Sequence, residues 1–329
     1  MPRVQAHIYI YSPSGAVRDK AAFRRGVARL TALGYAVEVD SAALDRHQRF
    51  AGDDATRLAA IHRAAASGAD LALISRGGYG LTRILPGIDY AAVAQAIDKG
   101  TRFIGISDFT AFQSAVLAQT GQPTWAGPAL CEGFGMAHHH GDDNADDADS
   151  AALTEACLQD LMRGQNAGVA WRLPRRASRS PGAITPSAMP PPNEVHISQA
   201  VLWGGNLTVL TSLLGTPYFP SVKGGILFLE DVAEHPYRIE RMLTQLLYAG
   251  VLARQQAILM GQFTEFKLTP HDQGFGLHSV VDWLRQRVAV PVLTDLPYGH
   301  VAAKVLLPVG ARVNLTVTKR QASLGWWPA

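Results

Sequence analysis

The sequence predicts an α/β fold, a mostly parallel sheet with helices on both faces and a second, smaller α/β domain behind it. Three observations carry this. Short apolar runs alternate with stretches whose apolar residues recur at helical spacing, which is the βα rhythm of parallel sheets. Glycines close the helical stretches at Gly34, Gly68 and Gly250. The run Leu71–Ile74 is apolar at every position, as a strand covered on both faces requires.

In order, His7–Tyr11 is rich in β-branched and aromatic residues and ends in the turn Ser12-Pro13-Ser14-Gly15. Phe23, Val27, Leu30 and Leu33 then mark a helix, and residues 35–39 a second strand. Residues 53–67 form a helix with Leu58, Ile61 and Ala65 on one face, and Leu71–Ile74 follows as the third strand. Phe103, Ile104, Gly105 and Ile106 form a fourth, cut off at Ser107-Asp108, after which Phe109, Phe112, Val116 and Leu117 resume helical spacing. Residues 1–165 are thus expected to be one domain.

Residues 166–194 read as a linker rich in Pro, Arg and Ser, and 195–329 as the second domain. In the latter, Val201, Leu202 and Trp203 form a strand running into Gly204-Gly205-Asn206, with a helix through Leu207, Leu210, Leu213 and Leu214. Residues 226–229 form a strand ending at Glu230-Asp231, and Ile239, Met242, Leu243, Leu246 and Leu247 mark the next helix. A strand at 257–260, a helix through Val280, Val281, Leu284 and Val288, and a β-rich tail complete it, with no internal repeat.

At 329 residues, 47% hydrophobic and 17% charged, the chain has the composition of an ordinary globular protein. A formal charge of +3 with no long basic block argues against nucleic acid as partner. No apolar run approaches the ~18 residues of a membrane span, and the first residues lead into a strand rather than a signal peptide. Cys131 and Cys157 are too few for a disulfide framework. These features point to the cytoplasm.

Two readings of Ser107 stand. Serine is a favoured helix N-cap, and a serine at a sharp strand-to-helix turn also has the placement of a nucleophile, beside the N–H groups that open the helix. Ligands of open α/β sheets bind beyond the carboxyl ends of strands, so the third and fourth strand ends are the places to look. The third ends in Arg76-Gly77-Gly78-Tyr79-Gly80, whose glycines suit a tight turn, a phosphate cradle or an N–H donor to an oxyanion beside Ser107. The cradle reading lacks the dinucleotide spacing and the lysine-serine pair of a P-loop. His138, His139 and His140 precede an aspartate-rich run, but adjacent side chains on a loop diverge, so a solvated segment is the default and no metal is expected. A serine nucleophile needs a base and a group to orient it; His300 and Glu230, both at strand ends, supply those types, and each also suits an ordinary loop or capping role.

These residues fall in blocks that together resemble the LD-carboxypeptidase family of serine peptidases, which includes the muramoyltetrapeptide carboxypeptidases and the microcin C self-immunity peptidases. The blocks are RGGYG at 76–80 with Arg83 after it, GISDFTA at 105–111, GGNL at 204–207, ILFLEDVAEHPYRIERML at 226–243 and LPYGH at 296–300. The resemblance spans nearly the whole chain except the linker; the segment 138–192 is long for the family and its polar residues match no family motif.

It implies a Ser107–His300–Glu230 triad where the two domains face each other, with the oxyanion held by the N–H groups of Gly78 and Asp108. Taken with the strand–helix alternation, the first domain is expected to be of the flavodoxin or glutamine-amidotransferase type. The implied reaction is release of a terminal D-alanine from an LD-muropeptide during peptidoglycan recycling, without cofactor or metal. Arg76 or Arg83 suits the terminal carboxylate, and Asn206 is a candidate peptide contact. A peptidyl-nucleotide antibiotic is the alternative substrate, and a non-hydrolytic muropeptide binder the alternative class. Relatives imply a homodimer. Asp108-Phe109 after the serine, rather than x-Gly, departs from the α/β-hydrolase elbow.

Overall fold

Largely apolar strands pair in parallel in the first sheet of the structure, a computed structural model that describes residues 5–136, 145–165, 167–174 and 194–326. Strands β1 (His7–Tyr11), β2 (Ala36–Val39), β3 (Leu71–Ile74), β4 (Arg102–Gly105) and β5 (Thr124–Ala126) lie in the order β2-β1-β3-β4-β5. All four neighbouring pairs are parallel. Helices α1 (Lys20–Ala32), α2 (Asp54–Ala66), α3 (Leu81–Ile84), α4 (Tyr90–Asp98) and α5 (Phe109–Thr120) connect them. The expected mostly parallel, helix-flanked sheet is therefore observed.

Aspartates start three of these helices. Asp19 accepts from the N–H of Ala21 and Ala22 at 2.7 and 3.0 Å, Asp53 from Thr56 at 2.8 Å and Asp89 from Ala92 at 2.9 Å. Each such cap stabilises its helix by about 1 kcal/mol. One face of the sheet buries Ile8, Ile10, Leu71, Leu73 and Ile104 against Phe23 and Leu30 of α1 and Leu158 and Leu161 of α6 (Ala145–Met162). Phe109 and Phe112 of α5 stack with ring centroids 4.8 Å apart, and Phe103 of β4 lies 5.5 Å from Phe112. The first two turns of α5 are buried all round, so the residues that precede it have little freedom to shift.

The second sheet runs β10-β9-β8-β7-β12-β13-β6. Its strands are β6 (Gly168–Arg172), β7 (Glu194–Asn206), β8 (Ile226–Val232), β9 (Ala257–Thr264), β10 (Val292–Leu293), β12 (Arg312–Thr318) and β13 (Gln321–Gly325). From β10 to β7 the pairing is parallel, and from β7 to β6 it is antiparallel. Helices α7 (Leu207–Ser212), α8 (Pro236–Tyr248) and α9 (Leu277–Arg287) belong to the parallel half. Strands β7 and β8 come unusually close. A Cβ on Gly204, at φ +132°, would stand 1.9 Å from the Phe228 carbonyl oxygen, so only glycine fits there.

Contacts divide the chain into two units: Met1–Asn166 with Ser212–Ser221 and Val301–Gly310, and Ala167–Thr211 with Val222–His300 and Ala311–Ala329. The arrangement differs from the expected boundaries in two ways. Gly168–Arg172, inside the stretch read as linker, is edge strand β6, because Trp171 is buried and donates its indole N–H to the Thr294 carbonyl at 3.0 Å. Residues 301–310 return to the first unit, where β11 (Leu307–Val309) pairs antiparallel with β5 and buries Leu307 and Val309 at its edge. Residues 137–144, with His138, His139 and His140, and residues 175–193 lie outside the described residues. Among the described residues no helix is long and apolar enough to cross a membrane.

Candidate active site

In the first unit, β4 ends and α5 begins within three residues, and the turn forces Ser107 to φ +66°, a left-handed conformation that L-residues other than glycine rarely hold. The capping role does not apply. Among the described residues Ser107 Oγ bonds to no helix N–H; its carbonyl accepts from Thr110 N–H at 2.9 Å instead. The half-buried hydroxyl is left to project from the strand end.

The glycine loop after β3 lies against it. A Cβ on Gly77 would meet Ser107 Cβ at 2.7 Å and Oγ at 3.0 Å, so this glycine is needed for the side chain beside it. Gly78 follows at φ +124°, and Gly15 N–H donates to the Gly77 carbonyl at 3.2 Å, tying the β1 and β3 loops together. Neither Gly78 nor Asp108 donates its N–H to another described residue. Donors placed in this way are what a developing oxyanion requires.

Two buried charges brace the loop. Asp108 accepts from Ser14 Oγ at 2.5 Å and from Leu81 N–H at 2.9 Å, which fastens the serine turn to both neighbouring loops. Burial pushes its carboxyl above the ordinary range, opposed by the Ser14 and Leu81 hydrogen bonds and the Arg57 charge. Arg57 is fully buried, donates to the Gly80 carbonyl at 2.9 Å, pairs with Asp54 and lies over the Phe50 ring.

In the second unit, β8 carries Glu230 two residues before its end, fully buried, with Oε2 2.7 Å from His300 Nδ1. The histidine is delivered by the 296–300 loop, which lies along β9: Gln262 N–H donates to the Tyr298 carbonyl at 2.9 Å, and Thr264 Oγ1 to the His300 carbonyl at 3.3 Å. Gly299, at φ +150°, permits the close pass; a Cβ there would meet the Gln262 carbonyl at 2.8 Å. With Nδ1–H given to the carboxylate, Nε2 is the ring nitrogen that can accept a proton.

Asn206 is the β7 register partner of Glu230. Its Nδ2 donates to Glu230 Oε1 at 3.2 Å and Asp231 Oδ1 at 3.0 Å, and its Oδ1 accepts from Val209 N–H at 3.1 Å. The residue expected to touch the peptide thus donates to the Glu230 carboxylate. Asp231 accepts from Thr208 N–H at 2.9 Å and from Thr208 Oγ1 at 2.8 Å; burial raises its pKa, and the Glu230 charge adds to the rise.

The two candidate arginines part company. Arg83, on α3, donates twice to Asp54 Oδ2, at 2.9 and 3.2 Å, with its guanidinium 5.1 Å from the Phe50 ring centroid. Arg76 has a weaker contact with Glu132 at 3.4 Å and lines a cavity of about 180 Å³ together with Gly78. Ser14, Arg57 and Asp231 were not expected at the site; Ser14 meets Asp108 94 residues away, Arg57 the Gly80 carbonyl 23 away and Asp231 the Thr208 N–H 23 away, contacts that no local pattern encodes. Among the described residues no group of three or more His, Cys, Asp or Glu is placed to hold a metal ion.

Residues 8–127 match the LD-carboxypeptidase N-terminal domain and residues 199–315 the LD-carboxypeptidase C-terminal domain. The crystal structure of muramoyltetrapeptide carboxypeptidase from Oxalobacter formigenes is 35% identical, with a TM-score of 0.80, covering 98% of this chain and 100% of that one. The probable murein peptide carboxypeptidase of Bacillus subtilis is 29% identical over 89% of this chain and 83% of its own. The microcin C7 self-immunity protein MccF of Escherichia coli is 26% identical over 75% of this chain and 71% of its own.

Proposed function

Because the chain belongs to the LD-carboxypeptidase family and is a serine-type LD-carboxypeptidase, we propose that it releases the terminal D-alanine of muropeptide tetrapeptides in the cytoplasm, as a step of peptidoglycan recycling. The observation that carries the catalytic assignment is Ser107 at φ +66° on a strand-to-helix turn, its hydroxyl not used as a cap.

In this reading Ser107 Oγ attacks the carbonyl of the L-configured residue while His300 Nε2 takes its proton. Glu230, 2.7 Å from Nδ1, holds the tautomer and stabilises the imidazolium. The N–H groups of Gly78 and Asp108 receive the oxyanion, a contribution of about 3 kcal/mol per donor. His300 then protonates the departing D-alanine, and water releases the tripeptide from the acyl-enzyme. Asn206 positions Glu230. Of the arginines, Arg76 is the better match to the terminal carboxylate, since Arg83 is already paired with Asp54.

The test is incubation with the LD-tetrapeptide and mass detection of tripeptide plus D-alanine. Ser107→Ala should abolish release, and Glu230→Gln should lower kcat by on the order of 10³-fold or more. Unchanged turnover in either variant removes that residue from the mechanism. The similarity to MccF favours one second reading, hydrolysis of a peptidyl-nucleotide antibiotic; faster cleavage of an aminoacyl-sulfamoyl adenosine than of the tetrapeptide would select it. Binding without cleavage of either, and no labelling of Ser107 by a serine-directed reagent, would indicate a muropeptide-binding protein. Light scattering tests the homodimer implied by the relatives.

A further inference from the structure

The first sheet has the order β2-β1-β3-β4-β5, so the chain reverses its winding between β1 and β3, the crevice where sheets of this order take ligands. A cavity of about 180 Å³ opens there, lined by Arg18, Arg46, Arg49 and Arg76 together with Gly78 and Tyr79 and by no carboxylate. At ~30 Å³ per water, that is room for roughly six waters, more than one carboxylate needs. Arg76 already contacts Glu132 at 3.4 Å, and the other three guanidinium groups carry more charge than a single terminal carboxylate neutralises.

Resting on the LD-carboxypeptidase reading above, we infer that this cavity is an anion subsite, in which Arg18, Arg46 and Arg49 take a second oxyanionic group of the substrate beside the terminal carboxylate assigned to Arg76. Arg18, Arg46 and Arg49 form no ion pair with a described carboxylate. Two of them are held in place. Arg46 Nε donates to the Gln48 carbonyl at 3.1 Å, and the Arg49 guanidinium lies 5.7 Å from the Tyr79 ring centroid. Their loop is itself fastened: Ala16 N–H donates to the Arg49 carbonyl at 2.9 Å, and His47 and Phe50 exchange backbone hydrogen bonds at 2.9 Å each.

The cavity adjoins the nucleophile. Gly77 touches Ser107, and Gly78, the next residue, lines the cavity, so a group bound here belongs within a residue or so of the cleaved amide. Planar guanidinium donors suit a carboxylate or a phosphate oxyanion alike. The first source is a side-chain carboxylate on the residue whose carbonyl is attacked; the second is the phosphate of a peptidyl nucleotide.

The test compares the full chain with the triple variant Arg18→Gln/Arg46→Gln/Arg49→Gln on two tetrapeptides that differ only at the third residue. Diaminopimelate ends its side chain in a carboxylate, and lysine lacks it. The inference expects kcat/KM for the diaminopimelate peptide to be at least about tenfold higher in the parent, mainly through KM. In the triple variant the preference should fall within about threefold, with kcat on the lysine peptide preserved. A second arm needs no hydrolysis: calorimetric titration of the parent and the triple variant with citrate and with inorganic phosphate. Binding that the triple variant loses supports the subsite, citrate as the tighter ligand pointing to a carboxylate and phosphate to a phosphate source. If neither peptide is cleaved, the carboxypeptidase reading fails while the titration still decides the subsite. A preference that survives the triple substitution, or parent protein that binds neither anion and treats both peptides alike, overturns the inference.

Discussion

Gly77→Ala puts the packing of the active serine to a direct test. Gly77 is not among the positive-φ residues, so alanine is tolerated by the backbone and the effect is one of crowding. The new Cβ would stand 2.7 Å from Ser107 Cβ and 3.0 Å from its Oγ. Ordinary carbon–carbon contact is ~3.5–4.0 Å, so the serine side chain or its turn must retreat by about 1 Å. Ile106 O lies only 3.2 Å from the same point and α5 is packed all round, so the turn cannot yield freely. A displacement of ~1 Å at a reacting atom costs on the order of 10²-fold in rate. Overpacking costs about 1–3 kcal/mol of stability, partly offset by the smaller entropy of the unfolded alanine chain.

The assay is kcat/KM for D-alanine release alongside the rate of Ser107 labelling by a fluorophosphonate, which needs no substrate recognition. Gly87→Ala is the control, since its added Cβ would meet Leu58 Cδ2 at 2.6 Å, a contact as short but made with the tip of an apolar side chain that can turn aside. The expected result is a fall of about 100-fold in both rates for Gly77→Ala, against unchanged rates for Gly87→Ala. If Gly77→Ala keeps both rates within threefold of the parent, roughly, the geometry drawn here for the nucleophile is wrong.

Two further outcomes follow. Ser107→Gly should be more stable than Ser107→Ala by about 1 kcal/mol in urea, both inactive, because only glycine holds φ +66° without strain; equal midpoints would mean that the turn relaxes once the hydroxyl is gone. Asp40 is buried. Burial raises its pKa, but hydrogen bonds from Arg63, Tyr9 and the Ala42 N–H outweigh that and hold it below the ordinary value. A depressed folded pKa contributes stability that is present above the unfolded value of ~3.9 and is lost as pH falls through the folded one. Asp40→Asn should therefore cost about 2 kcal/mol at pH 7, with the gap narrowing at the lowest pH where unfolding is still cooperative; a gap that widens in acid would reverse the assignment.

The sequence was most informative where structure is set by neighbours along the chain. Apolar spacing in α1, α8 and α9, the stops at Gly34, Gly68 and Gly250, and the fully apolar β3 are local signals, and each marks its element; α2 forms where it was read, but it buries Arg57, Ala60, Ile61 and Ala64 rather than the face through Leu58, Ile61 and Ala65. Strands β5 and β11 escaped notice because three residues carry too little periodicity, and α4 because only Val93 and Ala96 mark its buried face. Strand β6 was hidden in a segment whose composition resembles a linker; its pairing depends on β13, some 150 residues away. Ser107 was legible as a cap or a nucleophile, and the backbone speaks against the first: a cap takes an extended conformation, whereas Ser107 is left-handed.

By itself, then, the order and spacing of residues determined the α/β class, the helix limits and the residue types available for nucleophile, base and orienter, since these follow from periodicity and chemical kind. Tertiary structure decided how those residues are used. It turned Asn206 toward Glu230, joined Arg83 to Asp54, and gathered Arg18, Arg46, Arg49 and Arg76 from three separate loops around one cavity. Hydrogen bonds and charge balance depend on distance in space, and spacing along the chain does not encode which loops the sheet order brings together.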